Sequence, residues 1–246
     1  MAGHSHWANI QRSKGIADAK RGKVFSKLSR YIMIAAKAGG GDPDANLKLR
    51  YAIDKARAVS MPKENIERAV KKGTGELEGV SFDEITYEGY GAGGAAILVD
   101  IATDNRNRTN GEIKKIFEKG GGKIGTPGTV AWLFERKGII LIDAGKTTEE
   151  QLMEVALEAG AEDIQKEGDN FVITCDPGSY SAVQDAISKA KIEVASTELT
   201  QVAKSPLEAD VETQQKVAKL MELLDDHDDV QNVYTNLNIT AEAAVG

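Results

Sequence analysis

A change of hydrophobic period between Gly73 and Gly79 constrains this chain more than any other feature. Ahead of it, apolar residues recur at helical spacing. Phe25, Leu28, Ile32 and Ala35 make one stripe of a helix over 24–38. Gly39-Gly40-Gly41 ends that helix, and 47–59 is a second helical stretch. Pro62 opens a third helix in its first turn, where a missing N–H costs nothing. Glu64 and Glu67 lie early in that helix and Lys71 and Lys72 late, the order that suits the helix dipole. Beyond Gly79 strands and helices alternate. Residues 82–90 and 95–104 read as strands, 109–119 as a helix, and 129–135 as a further strand carrying Trp132 and Phe134.

The next stretch narrows the architecture further. Strand 138–143, helix 148–159, a hairpin over 163–166 and 170–176, helix 180–190 and strand 193–202 follow in the split βαβ, ferredoxin-like order. Helix 211–224 and strand 230–238 remain. They complete the group over 80–135, which alone has too few elements to cover a sheet. The expected fold is therefore α+β and multi-domain. A helical domain, 1–78, precedes two α/β sandwich (ferredoxin-like) domains. The last, 137–204, is inserted into a discontinuous middle domain, 79–136 plus 205–246.

Charge is distributed as unevenly as hydrophobicity. The net charge of −7 hides a division. Residues 1–75 hold 16 Lys+Arg against 6 Asp+Glu, and the remainder holds 15 against 32. A basic head on an acidic body draws polyanions to one end and repels them from the other. A Lys-rich solvated helical surface is the plainer alternative. Lys23, Lys27, Arg30 and Lys37 gather on one face of the first helix, with Ile34 among them.

Several motifs point to chemistry and are weakened by their context. Gly89–Gly94 matches G-x-G-x-x-G, but an apolar strand follows it where a dinucleotide site needs a helix, so a turn between strands is expected. Gly145-Lys146-Thr147 resembles half a P-loop, but Ile140 stands where the motif needs glycine. His4 and His6 lack further ligands for a metal. Beside Trp7, Arg12 and Lys14 they read either as a polar, aromatic tip for bases and phosphates or as a frayed terminus. Cys175, the one cysteine, has a strand setting and reads as a buried inert thiol. Asp225–Asp229 reads as a solvated turn rather than a calcium loop. Between a strand and a helix, Thr103–Thr109 carries Arg106 and Arg108. Those arginines either make a phosphate-binding helix tip or pair with the acidic body. No nucleophile–base set or carboxylate pair emerges from which to build an enzyme. The apolar runs are too short to span a bilayer, the N-terminus lacks a secretory signal's apolar core, and a lone cysteine fits a reducing cytoplasm.

Seven motifs resemble the YebC family. They are Met1–Ile10, Asp18–Lys23, Lys55–Ala58, Met61–Ala69, Lys72–Gly75, Tyr87–Gly91 and Thr103–Thr109. The resemblance is dense to about Glu135 and looser beyond. One departure is His6, where the family usually has lysine. The resemblance implies three domains and a role without known catalysis, and no cofactor is expected. It also implies a role either as a DNA-binding transcriptional regulator or as a ribosome-associated, RNA-binding translation factor.

Together these readings lead to a cytoplasmic nucleic-acid-binding regulator of gene expression. The expected contacts are His4, His6, Trp7, Arg12, Lys14, Lys20, Arg21, Lys23, Lys27, Arg30, Arg57, Lys71 and Lys72 in the head, with Arg106 and Arg108 behind. A two-signed molecule suits a folded RNA–protein surface such as a ribosome better than bare duplex. A monomer is compatible with this reading, and no metal is expected. The alternative is a small-molecule sensor or enzyme built on the ferredoxin-like unit, with the head as a docking element.

Overall fold

The computed structural model describes residues 18–240 and Ala243. The chain divides into two compact units, one of them residues 134–205 and the other, among the described residues, 18–133 with 206–243.

The larger unit begins with three helices, α1 (Asp18–Gly39), α2 (Leu47–Ala58) and α3 (Lys63–Thr74). Leu28, Ile32, Ala35 and Ala36 from α1 pack with Leu49, Ala52, Ile53 and Ala56 from α2 and Ile66 and Ala69 from α3. One buried side chain joins two helix ends. Asn46 caps α2 by accepting from Leu49 N at 3.1 Å, while its amide donates to the Ala35 and Gly40 carbonyls, each at 2.8 Å, at the end of α1. Gly73 lets α3 approach α1, because a Cβ there would sit 2.5 Å from Met33 O and 2.7 Å from Ala36 Cβ. Neither neighbour is a flexible side chain, so Gly73→Ala is expected to lower stability by about 2 kcal/mol. Thermal denaturation checks this, with Gly22→Ala, which meets nothing within 4 Å, as the control.

The same unit holds a sheet ordered β3-β1-β2-β8, built from β1 (Asp83–Tyr90), β2 (Ala96–Thr103), β3 (Lys123–Ile124) and β8 (Val230–Thr235). All its pairings are antiparallel. Between β2 and β3 lies α4 (Arg106–Lys119), and α7 (Val211–Asp225) precedes β8. Ile97, Val99 and Ile101 bury one face of β2 against Ile113 and Phe117 of α4 and Val217, Leu220 and Leu224 of α7. The G-x-G-x-x-G match is the β1–β2 turn. It is closed by Gly91 N to Ala95 O at 2.8 Å, and Gly93 and Gly94 take positive φ values of 65° and 78° there.

The smaller unit has strand order β5-β6-β4-β7, again antiparallel throughout. Its elements are β4 (Phe134–Asp143), α5 (Glu149–Leu152, continued by a π-helical stretch to Leu157), β5 (Ala161–Glu167), β6 (Asn170–Cys175), α6 (Tyr180–Lys189) and β7 (Ser196–Ala203). This is the split βαβ pattern. In the larger unit β2, β3, β1 and β8 occupy the places that β4, β5, β6 and β7 occupy here, although β1 precedes β2 in the chain. The two sheets thus share one spatial order with different wiring.

Residues 129–133 are not the start of a strand. β4 begins at Phe134, and 129–133 form a loop with a 3₁₀ turn over Ala131–Leu133. The amides of Val130 and Ala131 go to the Glu88 carboxylate instead of to a ladder. Cys175 is buried, and burial pushes its thiol up to about 11, so it is un-ionised near neutrality. No described helix is long and apolar enough to cross a membrane.

Candidate nucleic-acid interface

His4, His6, Trp7, Arg12 and Lys14 lie outside the described residues, as does the Lys20 side chain. The structure places the others individually and separates them into two classes.

Lys23, Lys27 and Arg30 fall four and three residues apart on one face of α1. That face is engaged within the molecule. Lys23 donates to the Asp226 carbonyl and lies 3.7 Å from the Asp228 carboxylate. Lys27 donates to the Asp225 carbonyl and pairs with its carboxylate at 3.0 Å. Arg30 donates to the Asp228 carbonyl, pairs with Asp229 at 3.1 Å and lies over the Phe82 ring, 5.4 Å from its centre. The acceptors are the final carbonyls of α7 and the acidic turn after it. Cations therefore cap the negative end of that helix dipole. The Asp225–Asp229 run is the counterpart of the basic face, not a merely solvated turn.

Asp229 is the centre of this arrangement. Its side chain is 4% exposed, yet it is charged. One oxygen accepts from Arg30. The other accepts from Thr103 Oγ1 at 3.0 Å, Thr109 Oγ1 at 2.7 Å and Arg108 Nη2 at 2.8 Å. Burial alone would raise its pKa, but the donors from Thr109, Arg108 and Thr103 outweigh that and hold it below the usual aspartate value. In return, the hydrogen bond and charge of Asp229 raise the Arg108 pKa. His227 Nδ1 accepts from Asp229 N at 3.1 Å, which leaves the proton on Nε2 to donate to Glu112 at 2.9 Å. Glu112, His227 and Asp229 bring three ligand atoms within 4.8 Å. Both Asp229 oxygens already serve cations and hydroxyls of the protein, so the cluster is a hydrogen-bond network.

The 103–109 segment follows the plainer of its two expectations. Asn105 caps α4 by accepting from Arg108 N. Arg106 pairs with Asp83 at 2.8 Å, and Arg108 pairs with Asp104, Glu112 and Asp229. Arg57 pairs with Asp54 at 3.2 Å, and Arg21 is an exposed residue of α1.

Lys71 and Lys72 differ. Both are exposed at the end of α3, and no ion pair engages them among the described residues. Arg68 is also exposed and falls on the same face, three and four residues earlier. Sequence reading passed over Arg68, although its spacing to the lysine pair was visible there. Among the described residues no ion pair engages any of these three cations, which make one patch.

Comparisons with known proteins agree over nearly the whole chain. Residues 5–76 match the family model described as TACO1/YebC protein N-terminal domain, and 82–237 match that described as TACO1/YebC second and third domain. A protein of Desulfatibacillum aliphaticivorans is 52% identical over 243 residues, 99% of this chain and 98% of the relative. One of Maridesulfovibrio salexigens is 53% identical over 98% of this chain and 97% of its own. Both are named probable transcriptional regulatory protein. The crystal structure of a conserved hypothetical protein from Aquifex aeolicus matches with a TM-score of 0.79 and 46% identity, covering 89% of this chain and 91% of that one.

Proposed function

This chain belongs to the TACO1/YebC family, and on that premise we propose that it is a non-catalytic, nucleic-acid-binding regulator of gene expression that grips phosphate backbones with its helical head. The observation that carries the reading is the uncompensated patch of Arg68, Lys71 and Lys72 on α3. It lies in a head whose first 75 residues hold ten more basic than acidic residues. Of the other expected contacts, Lys23, Lys27, Arg30, Arg57, Arg106 and Arg108 each pair with a carboxylate of the chain. Cations left without such partners are the ones available to release counter-ions from a polyanion.

The names of the relatives place them in transcription. Charge segregation favours RNA within a ribonucleoprotein for this chain, because the acidic body resists lying along a bare duplex. The proposed partner is therefore the ribosome, and DNA is the second reading. Lys23, Lys27 and Arg30 take part only if phosphate displaces the Asp225–Asp229 turn, so they are secondary contacts.

Replacing Arg68, Lys71 and Lys72 together with alanine removes about three phosphate contacts. The slope of log affinity against log salt for single-stranded RNA is then expected to become shallower by about 2. Fluorescence anisotropy over a salt series measures this, and an unchanged slope rejects the patch. Co-sedimentation with ribosomes at moderate salt, set beside band shifts on promoter and random DNA, decides between the two partners. Selective retention of promoter DNA without ribosome binding would make transcription the correct reading.

A further inference from the structure

We propose that Trp132 and Tyr90 form a stacking platform for unpaired nucleobases, with Lys123 placed to take the accompanying phosphate. This rests on the nucleic-acid reading above and adds a second contact region, remote in sequence from the head.

Trp132 is 66% exposed, the highest value among the exposed large hydrophobic residues described, and Tyr90 is 38% exposed. Exposure of an indole is often explained by its polar end reaching water. Here that end is already used. Trp132 Nε1 donates to the Thr129 carbonyl at 3.0 Å, and the Tyr90 hydroxyl reaches the same carbonyl at 3.5 Å. With both polar tips turned to one internal acceptor, what remains for a partner is aromatic surface. Such surface suits the face of a base and is tolerant of which base it meets.

The platform is held rigid from beneath. Thr129 belongs to the 125–133 loop, whose Gly128, Val130 and Ala131 amides all donate to the buried Glu88 carboxylate at 2.6 to 2.8 Å. Thr129 N donates to Thr126 O, and Leu133 N donates to Val130 O. A pre-ordered aromatic pays little entropy on binding.

Its surroundings favour a polyanion over an apolar protein partner. Tyr90 and Lys123 face each other across the β1–β3 pairing, so their side chains share one face of the sheet. Lys123 is exposed, with no ion pair among the described residues. Residues 105–133 carry six Lys+Arg against two Asp+Glu, a basic island in an otherwise acidic body. The segment leading to Trp132 carries Lys123, Thr126, Pro127 and Thr129.

Trp7 and Trp132 are the only two tryptophans, so a Trp7→Phe background reports Trp132 emission alone. The full chain in that background is titrated with an oligoadenylate RNA, the same strand in DNA, an abasic ribose-phosphate strand of equal length, and an RNA duplex. Quenching is expected from the two unpaired strands and not from the abasic strand or the duplex. Trp132→Ala should weaken binding of the unpaired RNA about ten-fold without changing the salt slope, and Trp132→Phe should restore most of it. Equal affinity of the Trp132→Ala protein and its parent, with salt-dependent binding intact, overturns the platform and leaves the phosphate reading standing. Affinities are compared by anisotropy of labelled strands with Trp7 intact, and failure of every strand to bind that protein in dilute buffer overturns both.

Discussion

Asp229→Asn is expected to cost about 3 kcal/mol of stability in the unit that holds the head and the first sheet. The carboxylate is buried and serves Arg30 and Arg108 together with two threonine hydroxyls. Removing one member of a fully buried ion pair costs about 3–5 kcal/mol, because the partner charge is stranded. Arg30 and Arg108 retain 20% and 44% side-chain exposure, so water softens the loss towards the lower limit. Asp225→Asn is the control. Its side chain is 67% exposed, and an exposed pair of that kind is worth less than about 1 kcal/mol. Urea denaturation of the two variants compares them, and equal midpoints would show that the Asp229 network contributes nothing.

The same network sets an acid limit. The pKa of Asp229 is lowered in the fold, so its contribution is complete above the usual aspartate value of 3.8. That contribution disappears as pH falls through the lower folded-state value. Stability of the wild-type protein should therefore fall more steeply below about pH 4 than that of Asp229→Asn, which has no such proton to bind.

Glu88→Gln is expected to release the 125–133 loop while leaving the β1–β2 pairing in place. Burial of Glu88 works against its charge, but the amides of Gly128, Val130 and Ala131 prevail and lower its pKa. A carboxamide has one acceptor oxygen, and its NH2 group faces donors. Bonds to a charged acceptor contribute about 1.5–3 kcal/mol each, so losing one of them opens the loop about 100-fold more often. Amide exchange at Val130 and Ala131 should quicken by that factor, with Val99 in β2 unaffected. Uniform exchange across both sites would mean that the carboxylate does not hold the loop. Glu88 titrates with the same sign as Asp229, so acidification through its lowered pKa should loosen the loop in the wild-type protein as well.

These two carboxylates show where reading the chain by itself succeeds and where it stops. The split βαβ order over 137–204 was legible because each element there is local and its apolar residues keep one period. So were the three head helices, whose caps and breaks lie within a few residues of the segments they end. The strand expected at 129–135 held only at Phe134 and Glu135, and its first five residues failed for the opposite reason. Its apolar residues alternate plausibly, but the amides that would have built a ladder answer a glutamate some forty residues earlier. The fate of the basic face was hidden in the same way. Lys23, Lys27 and Arg30 were visible as a stripe and Asp225–Asp229 as a run, but nothing local says that they meet about 200 residues apart.

By itself, then, the order of residues determined most of the element types, the fold class and the division of charge between a basic head and an acidic body, because these rest largely on neighbours within a turn or two of chain. Which cations remain available to a partner, and which are already spent on carbonyls and carboxylates, was decided only by the tertiary structure. An ion pair depends on distance in space, and sequence separation carries no information about that distance.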